Sequence, residues 1–127
     1  ANTADLKNNR DAYKRFLIAL IRAYKFYREN QEETVEIFSQ ALKIDPQIIK
    51  DDTYTHRTFE SNPDPLKKGT HDFWNVMQDI GYLPPNNVNL DEHIDTTIYR
   101  DALDEVLKRY PNDPTYLELD KFFKANN

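Results

Sequence analysis

A chain of 127 residues with a net charge of −5 and 31% charged side chains can bury one core, and its acidic balance argues against a nucleic-acid binder, which needs a basic face. With no cysteine it has no disulfide, thiol nucleophile or cysteine-type zinc site, and with only Gly69 and Gly81 it cannot build a phosphate-cradling loop. No run of about 18 apolar residues is present to span a bilayer, and no signal-peptide pattern opens the chain, which fits a processed or engineered start at Ala1.

Residues 5–9 read as a polar lead-in, with Asn8, Asn9 or Asp11 capping a helix that runs to about Glu29. Tyr13, Phe16, Leu17, Leu20, Tyr24 and Tyr27 recur at helical spacing and predict its buried face. Asp11, Arg15, Arg22, Lys25 and Glu29 mark the opposite stripe, which Ile18 interrupts, while Ile21 and Phe26 lie off the main face. Ile18, Ile21 and Phe26 are therefore the candidate interaction surface, and a homodimer is the simplest way to cover them.

Asn30 ends that pattern and starts a second helix, with Glu32 and Glu33 in its first turn and Val35, Phe38 and Leu42 as its buried stripe. Asp45-Pro46 predicts a cap and first helical residue for a short helix to about Lys50. Residues 53–60 alternate but have no partner strand, and read as loop. Asp64-Pro65 predicts another helix start, with Leu66, Phe73, Met77 and Ile80 on its inner face, Trp74 beside them, and Gly81 as the left-handed terminator. After the crossing through Pro84-Pro85, residues 89–92 predict one helical turn, and Asp95 or Thr96 caps a long helix. Its buried stripe is Tyr99, Leu103, Val106, Leu107 and Tyr110, with Asp104–Lys108 and Glu105–Arg109 as exposed pairs. Asp113-Pro114 opens the last helix, which turns Leu119, Phe122 and Phe123 inward before a polar tail.

The fold class this predicts is all-α, an irregular bundle of five or six helices in a single helical domain. Candidate chemistry is sparse. His56, His71 and His93 are 15 and 22 residues apart, without the i,i+4 spacing of a helical metal site, so no metal ligand is assigned. Glu32-Glu33, Asp51-Asp52, Asp91-Glu92 and Asp104-Glu105 read as capping or solvated charge, because acid–base work needs a desolvated carboxylate across a cleft. Trp74, Tyr54 and Phe59 read as core rather than as a ligand pocket. No catalytic residue and no cofactor are expected.

Two stretches carry a family resemblance. One is Tyr27-Arg28-Glu29-Asn30-Gln31-Glu32-Glu33 after a long helix, followed by a short aliphatic helix. The other is a helix ending Asp79-Ile80-Gly81-Tyr82-Leu83-Pro84, a polar crossing, then Asp95 and Ala102-Leu103. Together, over about residues 9–110, they resemble the C-terminal helical region of nitrate-, sulfonate- and taurine-type solute-binding proteins of ABC importers, and of the related thiamine-precursor-binding proteins. That family has two α/β lobes and is much longer, so the resemblance implies the C-terminal part of a longer protein. It also implies a non-enzymatic, extracytoplasmic role, periplasmic or lipid-anchored at the cell surface. The implied partners are the importer's membrane subunits and a small-molecule solute held mainly by residues outside this chain. No ligand-binding residue can be carried over, and the histidine motif of the precursor-making relatives has no counterpart here. The alternative reading is an independent helical protein-interaction module.

Overall fold

The computed structural model describes residues 3–58, 61–84 and 86–127, and every regular element among them is helical. The α-helices are α1 (Thr3–Asn8), α2 (Arg10–Glu29), α3 (Gln31–Leu42), α4 (Pro46–Lys50), α5 (Lys67–Asp79), α6 (Thr97–Arg109) and α7 (Pro114–Asn126). A π-turn, Asp51–Thr55, extends α4, and a 3-10 turn, Leu90–Glu92, precedes α6. The chain divides into two compact units, Ala1–Ile18 with Asp64–Asn127, and Ala19–Pro63.

The first unit is organised by α6 packed on α7. Ile98, Tyr99, Ala102, Leu103 and Val106 of α6 and Tyr116 and Leu119 of α7 are buried, and the Tyr99 and Phe123 rings stack at 5.7 Å. Tyr110 of the predicted stripe is instead exposed at the helix end, and Ala102 takes the inner position that its small side chain allows. The leading end of α2 is tied to α6 by Lys14–Glu105 at 2.8 Å and Arg10–Asp101 at 2.6 Å. The expected polar lead-in is itself helical: Asp5 accepts from Asn9 Nδ2 at 2.6 Å and from the Tyr13 hydroxyl, and backbone bonds carry the helix past Asn9 into α2.

Side-chain caps decide several boundaries. Asp113 accepts from the N–H of Thr115 and Tyr116, and Asp95 accepts from the N–H of Thr97, whereas Thr96 makes no side-chain cap. Asn89 accepts from the N–H of Asp91, closing the predicted single turn. Gly81 sits at φ 73° with its N–H on the Gln78 carbonyl, as a helix terminator does. Asp64-Pro65 does not start a helix. Asp64 Oδ1 accepts from Leu66 N–H at 2.8 Å, Leu66 takes a left-handed φ of 50°, and α5 begins at Lys67. The oxygen that α5 lacks locally comes from Asn127, whose Oδ1 accepts from Lys67 N–H at 3.0 Å while its Nδ2 donates to Asp64 at 2.8 Å.

The face predicted to be inward on α5 is largely outward. Phe73 and Ile80 are exposed and Met77 is half-buried, while His71, Trp74 and Gln78 occupy the half-buried side. The expected Asp104–Lys108 pair gives way to Asp104 with Arg100, while Glu105–Arg109 forms as expected.

The second unit holds the remainder of α2, then α3, α4 and the π-turn. Asn30 stands at the N-terminus of α3 without a side-chain cap, and Lys43 ends that helix at φ 60°. Asp45 accepts from Gln47 N–H at 2.7 Å and Pro46 occupies the first turn of α4, as the Asp-Pro pair predicts. Residues 53–55, expected as loop, are helical because the His56 N–H closes on the Asp51 carbonyl at 2.7 Å. Thr34, Val35, Ile49 and Thr53 are buried, but Leu42 of the predicted α3 stripe is exposed at the end of its helix.

Candidate functional site

The polar groups disperse rather than converge. His71 Nε2 lies 2.9 Å from Asp91 Oδ1, which Lys67 also reaches at 2.9 Å, and His56 and His93 are exposed. Hydrogen bonds from Lys67, then His71, hold the Asp91 carboxyl below its ordinary value. Among the described residues no three His, Cys, Asp or Glu side chains are grouped so that they could hold a metal ion.

Two apolar features stand out instead. One is the outer stripe of α5, where Phe73, Val76 and Ile80 fall at helical spacing and are 65%, 53% and 68% exposed. Exposed Tyr82 follows it directly in sequence. The other is a groove of about 530 Å³ within the second unit. The second half of α2 supplies Leu20, Ala23, Tyr24, Phe26 and Tyr27 to its wall. Thr34, Ile37 and Phe38 of α3 face them, and Ser61, Asn62 and Pro63 close the loop edge. Leu20, Phe26 and Ile37 are exposed and form its rim.

An aromatic stack stiffens the α2 wall. Tyr27 lies between Tyr24, at 6.1 Å, and Tyr54 of the π-turn, at 5.2 Å. The Tyr54 hydroxyl donates to the Tyr27 carbonyl at 2.7 Å, which locks the π-turn to the end of α2. Burial raises the Tyr54 phenol above its ordinary value, with Thr34 pulling the other way. The Thr34 hydroxyl is buried without a full hydrogen bond among the described residues, and Tyr54 is its polar neighbour. Arg28 sits outside the lining, donates to the Tyr24 hydroxyl at 3.3 Å and lies over that ring.

The sequence-predicted surface is only partly a surface. Phe26 is exposed and Ile18 half-buried, but Ile21 has no exposed area and so offers nothing to a partner. Tyr54 belongs to the stack of the second unit and Trp74 is half-buried in the first, while Phe59 lies outside the described residues. The groove itself was not read from the sequence. Its signal was the excess apolar surface of α2, which helical spacing marks without saying what faces it.

No family model matches the chain, and no curated protein or solved structure matches it either.

Proposed function

We propose that this chain is the helical C-terminal region of an extracytoplasmic solute-binding component of an ABC importer, of the nitrate-, sulfonate- or taurine-binding type. Its work is mechanical: it buttresses one lobe and the hinge, while a solute is held mainly by residues elsewhere and the importer's membrane subunits are the downstream partners. The observation that carries this reading is the uncovered stripe of α5, Phe73, Val76 and Ile80. Each such side chain gains about 1.5–3 kcal/mol on burial, so a helix presenting three in a row is built to be covered. The resemblance through residues 27–33 and 73–103 supplies the kind of surface that would cover it.

The same stripe also suits an independent helical interaction module, and the gene separates the two. The coding sequence upstream of Ala1 is expected to encode two α/β lobes behind an export signal. A reading frame that opens at Ala1 on a short helical protein would overturn the importer reading and leave the interaction module.

A further inference from the structure

We propose that the groove between α2 and α3 is a binding site for a small, neutral aromatic molecule. This inference goes beyond the buttressing role and does not rest on it, since nitrate and sulfonate solutes are anions and the described lining carries no cationic side chain to pair with one.

The lining decides the ligand class. Among the described residues no lysine, arginine, histidine, aspartate or glutamate contributes to it. An ion entering the groove would lose hydration with no opposite charge among the described lining residues to replace it. Arg28, a cation beside the wall, is engaged with the Tyr24 hydroxyl and ring. Tyr24, Phe26, Tyr27 and Phe38 give aromatic surface on both helices, which favours a flat ring in offset or edge-to-face contact. Ser61 and Asn62 put polar atoms at the loop edge, where one hydroxyl, amine or carbonyl of a ligand could be met. A volume of about 530 Å³ lies within the range of small-molecule sites, roughly 300–1,000 Å³. The wall is also set in advance, because the Tyr24–Tyr27–Tyr54 stack and the Tyr54 hydrogen bond fix α2 without a ligand.

The test uses N-phenyl-1-naphthylamine, a neutral fluorophore, beside its 8-sulfonate, which adds one negative charge to the same rings. The whole chain is titrated with each. Saturable emission at one site per chain is expected for the neutral probe, with binding at least tenfold weaker for the sulfonate. Ala23→Phe, which places a ring in the groove from an exposed wall position, should abolish the signal while the helical circular dichroism is kept. Equal or tighter binding of the sulfonate, no saturable binding of the neutral probe, or a folded Ala23→Phe that binds like the parent would each overturn the proposal. Should Ala23→Phe lose its helical signal, amide shifts of the unmodified chain decide. Shifts confined to residues 20–27, 34–38 and 61–63 support the site, and shifts centred on α5 or α6 refute it.

Discussion

Arg100 and Asp120 meet where α6 packs on α7, with Nη1 donating to Oδ1 at 2.7 Å and both side chains mostly out of water. The guanidinium also donates to Asp104 and lies over the Phe123 ring at 5.0 Å, so one cation serves two carboxylates and an aromatic face. Asp120→Ala would leave that cation half-satisfied. A loss of about 2 kcal/mol is expected in urea unfolding, between the values for exposed and fully buried pairs. Asp120→Asn, which keeps an acceptor oxygen and the shape of the side chain, should lose less; equal losses would assign the effect to the charge rather than to the hydrogen bond or packing.

Leu103 has no exposed area, whereas Phe73 is among the most exposed large side chains. Leu103→Ala should cost about 2–5 kcal/mol through lost transfer energy and a cavity. Phe73→Ser should stay within about 0.5 kcal/mol of the parent in the isolated chain. A large loss at Phe73 would mean that its face is covered within the chain, contrary to the exposed stripe.

Ile21→Asp tests the enclosed side of α2. A carboxylate at that fully buried position must give up its hydration and should destabilise by at least about 3 kcal/mol. If the variant unfolds at the parent's urea midpoint and only its light-scattering mass changes, Ile21 is a contact between copies after all.

Asp113 and Asp45 each accept backbone N–H groups at a helix start, and Thr96 does not. Asp113→Ala should cost about 1 kcal/mol, and Thr96→Ala should lose nothing that can be traced to capping. Thermal melts of the two variants side by side make the comparison.

Five carboxylates among the described residues are held below their ordinary values, Asp5 through the hydrogen bonds from Tyr13 and Asn9. Thr97 does this for Asp95, and Lys14, ahead of Arg109, for Glu105. Lys67, then His71, lower Asp91, while at Asp120 burial pulls upward but is outweighed by Lys124 and Arg100 together. A lowered folded-state value means these groups add stability above their unfolded value and lose it as pH falls through the folded value. The melting temperature should therefore show no loss from these groups between roughly pH 5 and pH 8, and should fall below about pH 4. Asp120→Asn should make that acid fall shallower. A fall in the variant as steep as in the parent would remove Asp120 from the set.

What could be read in advance was local. Asp45-Pro46, Asp113-Pro114 and Gly81 act through bonds to residues two or three positions away, so their chemistry is visible in the chain itself. Asp64-Pro65 makes the same bond two residues on, to Leu66, but Leu66 takes a left-handed φ of 50° and Asp64 also accepts from Asn127, 63 residues away, so the helix starts only at Lys67. The spacing of Phe73, Met77 and Ile80 revealed an apolar face on α5, but periodicity cannot say whether anything in the chain meets that face. The groove was hidden for the same reason. Its walls come from α2, α3 and a loop, and no spacing rule joins Ala23 to Phe38 and Ser61.

Asn127 supplies the oxygen for the first N–H of a helix that begins 60 residues earlier. That side chain is thus a bolt between two helices of the first unit. Replacing Asn127 by alanine would therefore act at the start of α5 and not only at the end of α7. Variants that differ at that one residue are different proteins at Lys67.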